Sequence, residues 1–365
     1  MKNIIFLENC SFGAKNNIRN KLYKKFSNDF HVYVFFLSSY EKKNINDINF
    51  KNVSTKKLNF FNLFYFLIKL LSSKAFLTFT IRPLLFGFFL KLFLPRLSFY
   101  PTITGTGPLL DSKHIIYKMM RLIYPSILLK AEHVFFHNIT DAKKFTHLIK
   151  PDKFTIVGGS GIELPKTLIK TNTYEFPLKA PSIACFSRLL VDKGIIHYLE
   201  ATKLLLNDYP FMKGKIFLAG MFYNSNLKSN LVTKSQIQDW IKFGGVYLGQ
   251  PVNKADFYSS IDILCVPSFR EGLSNVLLEG VSYQCLLVTT SAPGCIDVVE
   301  CNSGIICEPR STESLYNALI TAIKLCPDQQ NTLRVNAYNR AKSNFSKDSL
   351  SKEEAQSKIA NFLSL

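Results

Sequence analysis

Residues 261–280 read IDILCVPSFREGLSNVLLEG, and this stretch decides the fold class. The apolar run up to residue 268 predicts a buried β-strand, residues 270–274 predict a turn, and the apolar spacing over 275–283 predicts a helix. Another short apolar run, LLVTT, follows at 286–290. A strand, a helix and a second strand in this order are typical of a βαβ unit, in which the two strands are parallel.

The same alternation extends over the second half of the chain. Strands are predicted at 181–189, 215–220 and 246–249, and helices over Ile195–Asn207, near Lys228–Lys242 and near Lys254–Ser260. This alternation predicts a doubly wound parallel sheet. The first half, with β-rich runs such as 3–9 and 32–38, is compatible with a second sheet of the same kind. The predicted fold class is therefore α/β.

The length and one irregular segment predict the domain organisation. A chain of 365 residues is long enough for two domains with separate cores. Residues 165–180 show no clear hydrophobic period and contain two prolines, so we predict a linker there. The N-terminal domain is then 1–164 and the C-terminal domain 181–345, and we expect a final helix over 346–365 that packs back toward the N-terminal domain.

The positive charge is concentrated in the first half. Residues 1–165 contain 24 Lys and Arg against 9 Asp and Glu, whereas residues 166–365 contain 21 against 17. Such an excess is compatible with nucleic acid or an anionic membrane as a partner, or with a simple compositional bias toward Lys and Asn. Nucleic-acid binding requires exposed aromatic residues among the basic ones, and here the aromatic residues lie in long apolar runs.

Residues 58–95 form the most apolar segment of the chain. Lys and Arg residues interrupt it and Pro83 and Pro95 break it, so no uncharged run reaches the roughly 18 residues that a bilayer span requires. Two interpretations stay open: a buried pair of core helices, or a surface that lies on an anionic membrane. The N-terminal apolar run is too short for a signal peptide. We therefore predict a cytoplasmic protein, peripheral on the inner membrane face.

The cysteines indicate a reducing compartment. The sequence contains eight cysteines, no CxxC pair and no cysteine–histidine cluster that would suggest zinc. Cys185, Cys265 and Cys285 lie in apolar runs, where a free thiol packs as a small hydrophobic group.

Two glutamates bracket the N-terminus of the predicted helix over 275–283. Glu271 precedes the predicted helix, and Glu279 lies about one turn inside it. In open α/β sheets ligands bind beyond the carboxyl ends of the strands, and the amides at a helix N-terminus attract phosphate or sugar oxygens. The amides in question belong to Gly272, Leu273, Ser274 and Asn275. The competing interpretation is that acidic residues near a helix start only favour the helix dipole.

Two further loops carry candidate residues. Arg188 and Lys193 follow a predicted strand, and two cations there could neutralise a diphosphate, although an ordinary surface turn would look the same. The loop NCSFGAKN (9–16) follows the first predicted strand, and its Gly13 would let the backbone approach a ligand. This last signal is weak, because the loop is not a GxGxxG fingerprint.

Taken together, these motifs resemble family 4 of the retaining glycosyltransferases. The resemblance is dense over 181–309, where Glu271 and Glu279 fit the E-x7-E motif of that family, and thin over 1–130. The segments 103–108, 135–145 and 157–164 also resemble the branch that acts on lipid-linked glycans. Two positions depart from the pattern: Gly280 stands where Ala is usual, and Gly13 alone remains of a Gly-rich loop.

The resemblance implies the GT-B fold, two Rossmann-like domains facing a cleft, and a role for each candidate residue. Glu271 would face the transferred sugar, and Glu279 would bind the ribose hydroxyls. Arg188 and Lys193 would hold the donor diphosphate, and the amides of residues 272–275 would help. His137 and Asn138 would lie near the donor or acceptor, or be structural. The family retains anomeric configuration without a dedicated protein nucleophile, so we expect no cofactor and no metal.

The leading prediction is a glycosyltransferase that moves a hexose or N-acetylhexosamine from a UDP-sugar to a lipid-linked or polysaccharide acceptor in cell-surface polysaccharide synthesis, such as capsule or lipopolysaccharide. The alternatives are a non-hydrolysing UDP-sugar 2-epimerase of the same fold and a basic nucleic-acid-binding module. The epimerase usually lacks the basic, aromatic-rich N-terminal surface seen here. For the leading prediction we expect no nucleic acid among the partners.

Overall fold

The computed structural model describes residues 2–8, 23, 26–37, 52–107, 115–159, 161–165, 173–222, 231–299 and 302–346. The chain divides into two compact units, and the division falls between Gly161 and Ile162. Each unit is built on its own parallel sheet. This confirms the predicted α/β class, with seven strands in one Rossmann-like sheet and six in the other among the described residues.

The first unit is a sheet in the order β3-β2-β1-β4-β5-β6-β7, with every pair parallel. Its strands are β1 (Lys2–Glu8), β2 (Phe30–Phe36), β3 (Val53–Lys57), β4 (Ser73–Phe79), β5 (Ser98–Ile103), β6 (Val134–Phe136) and β7 (Phe154–Ile156). The inner strands β2 and β6 are almost wholly apolar, as expected for a parallel sheet buried on both faces.

The described helices of the first unit are α1 (Phe60–Leu71), α2 (Ile81–Phe93), α3 (Ile115–Lys130) and α4 (Ile139–Lys143). All four contribute to one apolar cluster with Ile5, Phe76 and Phe99, so they cover one face of the sheet. Tyr23 and Phe26 belong to the cluster on the opposite face. Residues 58–95 thus contain two helices with a strand between them, and the inward faces of both helices lie in the core.

The second unit is a sheet in the order β10-β9-β8-β11-β12-β13, again parallel throughout. Its strands are β8 (Ile183–Phe186), β9 (Ile216–Ala219), β10 (Val246–Gly249), β11 (Ile263–Val266), β12 (Leu286–Thr290) and β13 (Ile305–Cys307). The order reverses at β8. The chain first adds β9 and β10 on one side of β8, and then adds β11, β12 and β13 on the other side. This reversal is the topological switch point of the sheet.

Helices cover both faces of this sheet. They are α5 (Ile195–Asp208), α6 (Lys234–Lys242), α7 (Lys254–Ser259), α8 (Asn275–Ser282), α9 (Thr312–Lys324) and α10 (Pro327–Asn344). One apolar cluster contains residues of α5, α6 and α9, and the other contains residues of α7, α8 and α10. Neighbouring residues along β8 and β11 alternate between the two clusters, as the two-residue period of a strand requires.

The predicted linker differs from the structure in its second part. Of residues 165–180, those from 173 onward are described, and they belong to the second unit. Tyr174 is buried in its core and donates a hydrogen bond from its hydroxyl to the Ala322 carbonyl at 2.7 Å. The other end of this unit returns to its beginning, since the Ile162 N–H donates to the Phe345 carbonyl at 2.9 Å. The helix predicted over 346–365 lies outside the described residues apart from Ser346.

Candidate active site

The loops after β8 and β11 meet at the switch point of the second sheet. Gly194 closes the first loop with a left-handed conformation (φ 71°), and a Cβ there would lie 1.9 Å from the Pro267 carbonyl oxygen. Only glycine fits so close a backbone approach in this conformation. The Phe269 N–H donates to the Asp192 carbonyl at 2.9 Å, which joins the two loops a second time. The switch point is where open α/β sheets bind their ligands.

These loops bring Lys193 and Glu271 together. The Lys193 Nζ donates to the Glu271 Oε1 at 2.7 Å, and the Ser268 hydroxyl donates to the same oxygen at 2.9 Å. Lys193 is buried and Glu271 is half-buried, so the Glu271 carboxylate is partly accessible to solvent in the loop after β11. Arg188 lies exposed at the start of the loop that ends with Lys193. Two of the predicted site residues are thus in direct contact.

The loop after β12 supports Glu271 from the other side. The Glu271 N–H donates to the Pro293 carbonyl, and the Ser274 N–H donates to the Gly294 carbonyl, both at 2.9 Å. Gly294 has a φ of 77°, and a Cβ there would lie 2.3 Å from the Glu271 carbonyl oxygen. Asp297 fixes the same turn by accepting a hydrogen bond from the Gly294 N–H. The position of the Glu271 backbone is therefore set by two neighbouring loops.

Of the four backbone amides of residues 272–275 that we expected to face a ligand, one is already engaged within the protein. The Ser274 amide already donates to Gly294, because the loop after β12 packs against the start of α8, so it is not available to a ligand. The Ser274 hydroxyl caps α8, and the Leu273 side chain is buried in the core. Asn275 is exposed at the first turn. Gly280, where the resembled family usually has Ala, lets α8 pack closely, since a Cβ there would lie 2.4 Å from Leu264.

Glu279 has partners that the sequence did not suggest. The Lys254 Nζ donates to its two carboxylate oxygens at 2.7 and 3.0 Å, and the Tyr258 hydroxyl donates to one of them at 2.6 Å. Lys254 and Tyr258 lie one helical turn apart on α7. Burial, followed by the charge of Glu279, raises the pKa of Tyr258 well above its usual value, so its hydroxyl stays protonated. In the sequence, only the i, i+4 spacing of Lys254 and Tyr258 on a predicted helix indicated that these two side chains lie on the same helix face.

In the first unit, Asn138 has a structural role. Its side chain caps α4 by accepting from the Asp141 N–H at 2.6 Å, and its amide donates back to the Asp141 carboxylate at 3.1 Å. The buried Asp141 also accepts from the N–H and the hydroxyl of Thr106, which fixes the loop after β5. His137 is half-buried, and its N–H donates to the Ile103 carbonyl at 3.0 Å. Gly13 lies outside the described residues.

The described cysteines are free thiols, and five of the six are buried. Burial, with a smaller effect of Glu271, raises the pKa of Cys295 to about 12, so this thiol is neutral and unreactive beside the site. Within the described ranges, no group of three His, Cys, Asp or Glu side chains is arranged to hold a metal ion.

Comparison with known proteins relates the second unit to sugar-transferring enzymes. Residues 180–324 match the family described as Glycosyl transferases group 1. An uncharacterized glycosyltransferase of Haemophilus influenzae is 28% identical over 183 residues, which are 50% of this chain and 49% of the relative. The capsular polysaccharide biosynthesis glycosyltransferase CapM of Staphylococcus aureus is 24% identical over 229 residues, 60% of this chain and 58% of CapM. The aligned part thus spans about half the length of the curated relatives.

Solved structures match the whole chain. The Anabaena protein HepE (Alr3699) in complex with UDP has a TM-score of 0.76 with 16% identity, and the match covers 100% of both chains. The same protein in complex with UDP-glucose has a TM-score of 0.72 with 14% identity, again over 100% of both chains. At this level of identity the likeness establishes the fold, which is GT-B with two Rossmann-like domains. The family match supports a glycosyltransferase relation for the second unit.

Proposed function

We propose that the protein is a retaining glycosyltransferase that moves a hexose or N-acetylhexosamine from a UDP-sugar to an acceptor. The observation that carries this proposal is the Lys193–Glu271 pair at the switch point of the second sheet. Support comes from the match to the group 1 glycosyltransferases and from HepE, a protein of the same fold that binds UDP and UDP-glucose.

Lys193 and Arg188 would stabilise the departing diphosphate. The bond between the anomeric carbon and the β-phosphate oxygen breaks, and negative charge builds up on the UDP. Cations fixed beside that charge stabilise the transition state more than the ground state, which is the condition for catalysis. Lys193 is already held in place by Glu271, so little reorganisation is needed when the donor binds.

Glu271 and Glu279 would bind hydroxyls at the two ends of the donor. A carboxylate accepts hydrogen bonds from vicinal hydroxyls, and the half-buried Glu271 side chain is partly accessible to solvent. We assign Glu271 to the transferred sugar and Glu279 to the ribose. Lys254 and Tyr258 hold the Glu279 carboxylate in a fixed orientation.

Retention of configuration follows in this proposal from attack on the same face as the departing phosphate. The acceptor oxygen forms its bond to the anomeric carbon, and its proton passes to an oxygen of the leaving diphosphate. No protein nucleophile takes part, and the fixed cations take the place of a metal ion. The reaction is accordingly proposed to be independent of metals and cofactors.

The acceptor is proposed to be a lipid-linked or growing surface polysaccharide. CapM, which is 24% identical over 229 residues, is a capsular polysaccharide biosynthesis glycosyltransferase. The corresponding location is the cytoplasmic face of the inner membrane. No helix among the described residues is long and apolar enough to cross a bilayer.

The test is UDP release from a panel of UDP-sugars with a membrane extract as acceptor. We expect acceptor-dependent release that falls about 10²-fold or more in Glu271→Gln, because a group that contacts the reacting sugar is lost. Glu313→Gln is the matched control, since Glu313 is an exposed acid in the first turn of α9, to which we assign no part in the site, and its loss should leave the release unchanged. Unchanged release in Glu271→Gln would disprove the site. Interconversion of the donor without an acceptor would instead identify the epimerase.

A further inference from the structure

Helix α1 carries a continuous apolar stripe on its solvent side. The stripe consists of Phe60, Leu63, Phe64, Leu67, Ile68 and Leu71, whose exposed fractions range from 40% to 86%. Their spacing of three and four residues places them on one face of the helix. The opposite face, with Phe66 and Leu70, is fully buried in the core. The exposed stripe is therefore not required to complete the core of this unit.

The two neighbouring helices extend this apolar surface. Phe66 of α1 contacts Phe86 of α2, with ring centroids 5.9 Å apart, and α2 packs against α3. On their exposed sides, α2 contributes Phe89, Leu92 and Phe93, and α3 contributes Ile115, Met119, Leu122 and Leu129. We call the exposed apolar residues of α1, α2 and α3 the apolar helix face. Soluble proteins rarely expose so many adjacent apolar residues without a partner.

The charge of these helices shows which partner fits. The three helices contain six Lys and Arg residues and no Asp or Glu. Arg82, Lys118 and Lys130 are exposed beside the apolar residues, whereas Lys91 is buried and paired with Glu132 at 2.7 Å. A second copy of the chain would bring these positive charges against one another, which opposes self-association. An anionic lipid surface provides both apolar chains and compensating negative charge.

We propose that the apolar helix face docks onto an anionic bilayer. Aromatic and aliphatic side chains of α1 and α2 enter the boundary between head groups and acyl chains, and Arg82, Lys118 and Lys130 contact the lipid phosphates. Docking needs neither donor nor acceptor, so it stands whether or not the proposed transfer reaction does. If the acceptor is lipid-linked, the same docking keeps the enzyme at the surface that holds it.

The experiment is co-sedimentation of the full chain with vesicles of phosphatidylglycerol and phosphatidylethanolamine, compared with vesicles of phosphatidylcholine alone. The wild-type protein is expected to bind the anionic vesicles more tightly, and binding should weaken as salt is raised. Phe64→Glu/Phe93→Glu should lower the apparent affinity at least about tenfold, because two exposed apolar anchors are lost. Both residues are exposed, so the unfolding temperature should stay unchanged.

The matched control is Leu204→Glu/Ile241→Glu, which places the same charges on exposed apolar positions of α5 and α6 in the second unit. It should bind vesicles as the wild type does, and so should Glu271→Gln, whose defect concerns the sugar donor. The proposal is overturned if the wild type does not bind anionic vesicles or if the control variant loses as much affinity as the helix-face variant. It is also overturned if the wild type self-associates in solution and Phe64→Glu/Phe93→Glu abolishes that association.

Discussion

The Glu279 carboxylate is held by two side chains of one neighbouring helix. Lys254 supplies the opposite charge at 2.7 Å, and Tyr258 supplies a hydroxyl donor at 2.6 Å. Because burial raises the pKa of Tyr258, the hydroxyl remains a donor throughout the range in which enzymes work. The orientation of the carboxylate is thus fixed before any ligand arrives, which reduces the entropy lost on binding.

Replacing this donor should weaken nucleotide binding without unfolding the protein. We expect Tyr258→Phe to raise the Kd for UDP about threefold to tenfold, which corresponds to one hydrogen bond of roughly 0.5–1.5 kcal/mol. Isothermal titration calorimetry measures this directly. Tyr316→Phe is the control, since Tyr316 also donates to a carboxylate, that of Asp208, in the same unit. An equal loss of affinity in both variants would contradict a positioning role for Tyr258.

Helix α2 shows how a single residue sets the packing of an element. Gly87 faces the sheet, and a Cβ there would lie 2.7 Å from Thr78, 2.9 Å from Phe76 and 3.1 Å from Phe99. The helix therefore rests directly on β4 and β5, and its other side presents Phe89 and Phe93 to the surface. This close contact sets the distance between α2 and the sheet, and with it the position of Phe89 and Phe93 at the surface.

Gly87→Ala should destabilise the first unit. The added methyl group must displace aromatic rings of the core, and overpacking of this kind costs about 1–3 kcal/mol. Ala gains up to about 1 kcal/mol in helix propensity, so we expect a net loss of up to roughly 2 kcal/mol. Urea unfolding measures the change, with Ser126→Ala, an exposed position on α3, as a control that should stay near wild type. A stabilised Gly87→Ala protein would contradict this expectation, since the packing cost would then be smaller than the gain in helix propensity.

Local patterns predicted many elements of the second unit, and tertiary contacts explain the rest. The strands predicted at 246–249 and 286–290 coincide with β10 and β12, because turn residues bound each short apolar run. The helix predicted near Lys228 begins instead at Lys234, where Thr233 and Gln236 form a capping box. Glu279 was predicted from its spacing to Glu271, but its ion pair with Lys254 was not. That pair spans 25 positions and forms only when α7 and α8 pack together.

The two units differ in net charge, in exposed apolar surface and in the site residues that they contain. The first half holds 15 of the 19 net positive charges, and the first unit carries the apolar helix face. The second unit contains every described residue that we assign to the donor. Lys193, Glu271 and Glu279 all lie between Ile162 and Lys347.

The donor site should therefore survive in the second unit alone. We expect a fragment of residues 162–347 to fold, since it has a core on each face of its sheet, and to bind UDP within about tenfold of the full-length affinity. Circular dichroism and calorimetry test folding and binding separately. The same fragment with Lys193→Ala should lose most of the affinity. A folded fragment that does not bind UDP would show that the first unit supplies essential donor contacts.

The hydrogen bond between Ile162 and Phe345 also bears on how chains of this fold can be recombined. The chain enters the second unit at Ile162 and leaves it near Ser346, and these two points are adjacent. The unit is therefore a single continuous segment whose two ends lie side by side. A transplant of residues 162–347 keeps the bridge between Ile162 and Ser346 intact, because both of its partners lie within the transplanted segment. Under the proposed function, we expect an exchange of residues 162–347 between chains of this fold to transfer the choice of sugar donor, while the host chain keeps its own means of reaching the acceptor.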